Sequence, residues 1–398
     1  MVDSFIPHIR FKMCKNQWEK NKLSKLAKFN PKSTLPEKFK YVDLESVLGT
    51  DLISYREVSR ENAPSRAQRL AQKGDIFYQT VRPYQKNNHL FDSNEKDYVF
   101  STGYAQLRPL IDSAFLLARL QEESFVNMVL ERCTGTSYPA INSKDLSKIS
   151  VTIPQTIEEQ SAIGSLFRTL DDLLISYKDN LANYQSLKAT MLSKMFPKAG
   201  QTIPEIRVDG FKGEWEIKKF KSISNKRGKS NSKGYDLPAY SVSNQSGLIP
   251  QSEQFEGSRL ENLEKTSYKI VEPNEFAYNP ARINVGSIAF NDLDETVIVS
   301  SLYVIFSLDK SINNNYALLF IKSPEFNKEV RRNTEGSVRE YLFYENFANI
   351  RIPIPPSLEE QQAIGSYFSN LDNLIAAHQE KISQLETLKK KLLQDMFI

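Results

Sequence analysis

Cysteine and histidine are scarce in this chain: Cys14 and Cys133, and His8, His89 and His378, among 398 residues. Neither cysteine belongs to a CxxC, and no histidine stands near another or near a cysteine. The patterns of a zinc site, a disulfide framework or a His-based nucleophile are therefore missing. No GxxxxGK[ST] phosphate loop or GxSxG elbow occurs, which argues against ATP hydrolysis and serine-hydrolase chemistry in this chain. No run approaches the ~20 apolar residues that cross a bilayer, and "MVDSFIPHIRF" lacks the basic-then-apolar shape of a signal peptide. A reducing, cytoplasmic location is expected. The net charge of +4 permits a nucleic-acid partner without demanding one.

What is present is a repeat. The stretches starting at Ile153 and Ile354, "IPQTIEEQSAIGSLFRTLD" and "IPPSLEEQQAIGSYFSNLD", share 12 of 19 positions at an offset of 201. Ile6, Pro7, Ile9, Arg10, Trp18 and Glu19 match Ile203, Pro204, Ile206, Arg207, Trp215 and Glu216, so the only two tryptophans are equivalent. Tyr78 and Arg82 match Tyr278 and Arg282, while Phe125, Gly135 and Ile149 match Phe326, Gly336 and Ile350. The chain is one unit written twice, with small loop insertions.

Between its opening motif and the EEQ segment, each copy mixes strand-like runs such as "KGDIFYQTV" with a helical stretch, residues 112–133 and 312–333. Each globular unit is expected to be α+β. Thr156 with Glu159, and Ser357 with Glu360, read as capping boxes whose carboxylates reach back to the cap. Two helices of about 40 residues follow. Their apolar stripes recur at 4-3 spacing: Ile163, Phe167, Leu170, Leu174, Tyr177, Leu181 and Tyr184 in one, Ile364, Phe368, Leu371, Ile375, His378, Ile382 and Leu385 in the other. A lysine, Lys188 or Lys389, interrupts each stripe at the same place. The 3.5-residue spacing is a coiled-coil seam, and rods of ~60 Å need an equally long partner. The simplest partner is the other helix, antiparallel. Domain boundaries follow: residues 1–155, a helix at 156–197, residues 198–355, and a helix at 356–398.

The opening Arg and Trp, the IP...EEQ join and the duplicated long helix ending in "LSKMF" and "LQDMF" resemble, in this order and over nearly the whole chain, the DNA-specificity subunit of Type I restriction-modification systems. The resemblance implies two target-recognition domains, each a twisted β-sheet with helices, set apart by two antiparallel coiled-coil helices in a pseudo-twofold arrangement. It implies a non-enzymatic subunit that reads a split double-stranded DNA sequence. It also implies two adenine-methyltransferase subunits and two endonuclease/translocase subunits as partners, with no membrane. S-adenosylmethionine, ATP and Mg would sit on those partners, with no cofactor in this chain. Strong identity between the copies in their helices, against weak identity in the domains, further predicts an asymmetric two-part target, its half-sites about one DNA turn apart, ~34 Å. A coiled-coil scaffold that binds only proteins is the alternative.

Base edges are read by planar donors and acceptors, and phosphates by any cation, hydroxyl or free amide. Three matched places supply these. The first is Tyr78, Arg82, Gln85, Lys86 and Asn87, with Tyr278 and Arg282. The second is a glycine-led loop, with Thr136 and Ser137 in one copy and Ser337 and Arg339 in the other, where helix C-caps at Gly135 and Gly336 are the rival reading. The third is Lys218 to Lys233, seven cations and no acid, with Lys226, Arg227 and Lys229 as a phosphate-tracking loop or a solvated surface. Leu166, Leu173, Leu192 and Leu374 lie off the seams and are candidates for covering by partner helices.

Overall fold

Both copies build the same four-stranded antiparallel sheet. A computed structural model describes residues 7–12, 14, 16–135, 137–244, 247–254, 265–333 and 341–397. It forms two compact units, Met1–Asn180 with His378–Ile398, and Leu181–Ala377. In the first unit the strand order is Ala27–Phe29, Tyr104–Pro109, Ile76–Gln79, His89–Leu90; in the second it is Ser224–Arg227, Val304–Leu308, Phe276–Tyr278, Ile288–Phe290. Every residue of the strands Ile76–Gln79 and Phe276–Tyr278 is buried, so both faces of these central strands are covered.

Beyond that sheet the units differ. The first adds a second four-stranded sheet, in the order Arg56–Ser59, Lys38–Val42, Tyr98–Ser101, Ala67–Leu70. Among its described residues the second has instead two two-stranded pairs, Tyr240–Ser243 with Gly247–Pro250 and Lys269–Val271 with Val297–Val299. The helical stretches each split in two, Ser113–Gln121 and Glu123–Leu130 against Asn314–Ile321 and Pro324–Asn333. In the first unit the break falls at Glu122, whose extended backbone ends one helix while its carboxylate caps the amides of Ser124 and Phe125.

The opening motif is clasped to the start of the long helix. The strand Glu19–Lys22 pairs antiparallel with Ser150–Ile153, and Glu216–Lys219 with Arg351–Ile354. The long helices then run Ile157–Lys194 and Leu358–Asp395, 38 residues each. Thr156 and Ser357 accept from the amides of Glu159 and Glu360, as a capping box requires. The expected return bond of the carboxylate is replaced. Glu159 takes both arms of Arg10, Nε to Oε1 at 2.7 Å and Nη2 to Oε2 at 2.8 Å. Glu360 takes Arg207 at 2.7 and 2.8 Å in the same way. The Trp18 indole also donates to Glu159 at 3.1 Å, whereas the Trp215 indole N–H is buried with no partner among the described residues.

The next two residues of the motif have structural reasons of their own. Gln160 accepts from the Asp112 amide, and Gln361 from the Asn313 amide, at the N-cap of the first domain helix in each unit. Gly164 lets the same two helices touch: a Cβ there would lie 2.5 Å from Asp112 Oδ1 and 2.7 Å from the Phe115 amide. At Gly365 the nearest atom would be the Asn315 Cβ at 3.1 Å. Gly164→Ala is therefore expected to destabilise the full chain by about 1–3 kcal/mol in urea unfolding, overpacking outweighing the helix-propensity gain of ~1 kcal/mol. Gly365→Ala should fall near neutral, and equal costs at the two sites would contradict this account.

In each unit one helix packs antiparallel on a stretch of the other. In the first unit Asp171 pairs with Lys389 and Lys178 with Glu386, and the rings of Tyr177 and His378 lie 5.4 Å apart. In the second unit Lys188 pairs with Asp372. The two lysines that interrupt the stripes thus bind the acid at the repeat-equivalent position of the other helix. The helix starts are less coiled coil than domain core: Ile163 and Phe167 share one apolar cluster with Trp18, Phe115 and Phe397, and Ile364 and Phe368 share another with Trp215, Tyr316 and Phe196.

Candidate nucleic-acid interface

Two of the three candidate stretches are brought together in the first unit. After the strand Ile76–Gln79 the chain turns through Arg82 into a short 3-10 turn, Pro83–Gln85. Here the second stretch meets it: Arg82 N donates to Pro139 O at 2.7 Å, Ile141 N to Thr80 O at 3.0 Å, and Thr134 and Ala140 exchange both backbone bonds. Gly135 has φ +86°, a conformation open to glycine. The Arg82 guanidinium carbon sits 4.4 Å from the centre of the Tyr138 ring. The second unit repeats the closure, with Leu342 N donating to Pro280 O at 3.0 Å and Tyr278 Oη donating to Leu342 O at 3.0 Å.

The structure corrects several sequence-based expectations. Tyr78 and Tyr278 are fully buried, packed on Phe125 and on Phe306 and Phe347, and burial pushes both phenols well above their ordinary pKa. They are core residues and cannot touch DNA. Lys86 is tied to Glu123 at 2.6 Å and Asn87 accepts from the Gly49 amide at 2.9 Å. Both line a cleft of about 1070 Å³ shared with Asp171, Lys178 and Lys389, so they face the helix pair of their own unit. Gln85 is exposed and its carbonyl accepts from Gln79. Ser137 is exposed. Thr136, Ser337 and Arg339 lie outside the described residues.

The cationic run is a loop only beyond Arg227, where Lys229 lies. It forms the strand Glu216–Lys219, a 3-10 turn at Phe220–Ser222 with Phe220 buried, and the sheet-edge strand Ser224–Arg227. Lys226 pairs with Glu345 at 2.7 Å and lies 5.8 Å from the Tyr344 ring centre; that hydrogen bond holds the Glu345 carboxyl below its ordinary range. Arg227 donates to Ser307 at 3.0 Å. Lys229 and Arg282 are exposed. On the helices, Leu166 and Leu192 pack against the cores of their own units. Leu173 and Leu374 stay 41% exposed each, joined by Leu187 and Leu388 at 37% and 45%, pairs the sequence reading had only half identified. Their signal was available, since both pairs stand at the 201-residue offset.

A sheet order and a clasped helix start written twice, with unlike strands added beside them, define a class of proteins built from two repeated α+β domains. Residues 15–184 and 212–387 match the Type I restriction modification DNA specificity domain, and the chain belongs to this family. The MjaVIII specificity subunit of Methanocaldococcus jannaschii is 23% identical over 323 residues, 72% of this chain and 70% of that protein. The HindI specificity subunit of Haemophilus influenzae is 30% identical over 139 residues, 33% of this chain and 30% of that one. In fold, the chain is similar to the Type I restriction-modification S subunit from M. genitalium, with a TM-score of 0.62 at 15% identity over 98% of this chain and 99% of that one. A chain from a structure of Type I R-M complex assembly and conformational transition gives 0.51 at 21% identity, over 94% and 96%. This protein is thus a specificity subunit, and its task is DNA target recognition in a restriction-modification complex. Among the described residues no helix is long and apolar enough to cross a membrane.

Proposed function

We propose that each unit reads one part of an asymmetric two-part duplex target, and that the chain holds two adenine-methyltransferase subunits and, in the full complex, two endonuclease/translocase subunits, doing no chemistry itself. The observation that carries this is the pairing of a common sheet order with different added strands among the described residues, which supports a kept framework with two different reading surfaces. Arg82, Gln85 and Ser137 in one unit, and Lys229 and Arg282 in the other, are the exposed or partly exposed polar groups offered to DNA. Lys226 and Arg227 stand at the sheet edge, each beside a glutamate, Glu345 at 2.7 Å and Glu275 at 3.7 Å. The repeated exposed leucines, Leu173 with Leu374 and Leu187 with Leu388, suit one kind of partner helix bound twice, which matches two copies of the same methyltransferase. S-adenosylmethionine, ATP and Mg belong to the partners on this reading.

Methylation mapping tests it. In a methylation-free host, this chain with its neighbouring methyltransferase should place methyl-adenine in one two-part motif, and the methyltransferase without it should not. An active methyltransferase whose marks are the same with or without this chain would leave only a protein-binding scaffold.

A further inference from the structure

We propose that Arg82 reads a guanine in the half-site of the first unit, its fork held ready by stacking on Tyr138; the inference rests on the DNA-recognition reading above. Arg82 has φ 53° and ψ 55°, and Lys86, four residues on, has φ 56°. Side-chain-bearing residues avoid this left-handed region, and such a conformation persists only where the surroundings impose it. They do so here. The Arg82 amide is held by Pro139 O at 2.7 Å, its carbonyl accepts from Gln85 N at 3.0 Å, and Val81 bridges to Ala140.

From that backbone the guanidinium reaches over the ring of Tyr138, a residue 63% exposed. Lys86 and Lys226 are neutralised by glutamates, but no acid pairs with Arg82 among the described residues. A phosphate accepts from a cation in almost any orientation and gains little from a fixed plane. Guanine O6 and N7 demand a coplanar pair of N–H donors, which arginine presents and lysine does not. A ring 4.4 Å from the guanidinium carbon restricts where the fork can turn, and no acid among the described residues takes its N–H groups. The combination fits base reading better than charge neutralisation.

The test uses the full chain with its methyltransferase and genome-wide methyl-adenine mapping. With Arg82→Lys, one G·C position in one part of the motif should relax, its discrimination falling by about ten- to a hundredfold, while the other part stays intact. Tyr138→Leu should relax that same position to a smaller degree, and Tyr138→Phe, which keeps the ring face, less than Tyr138→Leu. If Arg82→Lys and Arg82→Ala keep every base of the motif and only lower methylation evenly, Arg82 is a phosphate contact and the inference falls. Loss of both parts of the motif with Arg82→Lys would also overturn it, by making Arg82 a support of the fold. Should the unaltered chain direct no motif, it is the underlying reading that fails.

Discussion

Replacing Arg207 by alanine in the full chain is expected to lower the unfolding free energy by about 3–5 kcal/mol, the usual cost of stranding one partner of a buried ion pair. Glu360 is 1% exposed and Arg207 14%, so the abandoned carboxylate cannot turn to water. The fork also donates to Gly213 O and Lys212 O, and its loss frees the opening segment from the helix start. Arg10→Ala should cost less than Arg207→Ala. In the first unit the Trp18 indole still donates to Glu159, whereas the Trp215 indole N–H has no partner among the described residues. Urea unfolding of both variants measures the difference. Replacing the whole pair, Arg207→Met with Glu360→Gln, should be milder than Arg207→Ala, because no charge is left buried. A cost below about 1 kcal/mol for Arg207→Ala, the level of an exposed pair, would contradict the assignment.

The second large effect concerns the helix pairing. Lys389→Glu sets two acids together where Asp171 and Lys389 are each 21% exposed, in a site where burial already pushes the Asp171 carboxyl up against the opposing pull of Lys389. A loss on the order of 2–4 kcal/mol is expected. Adding Asp171→Lys should recover much of it, giving a double-mutant coupling of about 1–3 kcal/mol. The equivalent pair, Lys188 with Asp372, is 32% and 51% exposed, and its coupling should be about 0.5–1 kcal/mol. A polar residue in an apolar seam fixes register at a cost in stability. Two such residues bonded reciprocally across a repeat exclude a one-heptad slip, because a slipped pairing would bury both lysines against apolar neighbours. Lack of rescue by Asp171→Lys would show that Lys389 acts through packing of its stem instead.

Much of this architecture was legible because the repeat doubles every signal. The capping residues Thr156 and Ser357, the 4-3 stripes and the interrupting lysines all recur, and helix periodicity is local information. The partner of the capping-box glutamate was not legible by those rules, since Arg10 and Glu159 stand 149 residues apart and a capping box assigns that carboxylate to a neighbour. The recurrence of Arg10 and Arg207 at matched positions was the available clue. Tyr78 and Tyr278 teach the opposite lesson. Two copies of one unit keep in common what holds the fold, and the full burial of this pair places it there. Recurrence alone does not separate core from surface, since Arg82 and Arg282 recur as well and are partly exposed and exposed. The first half of the basic run misled for a related reason: charge alternating with Ser and Asn looks like a loop, but the sheet-edge strand Ser224–Arg227 carries Lys226 exposed.

The central claim, that each unit reads its own part of the target, is tested most directly by exchanging residues 1–155 for the matching segment of another specificity subunit and mapping methyl-adenine in a methylation-free host. The account predicts that one part of the two-part motif changes to that of the donor while the other is kept base for base. A motif that changes in both parts, or in neither while methylation continues, would contradict it.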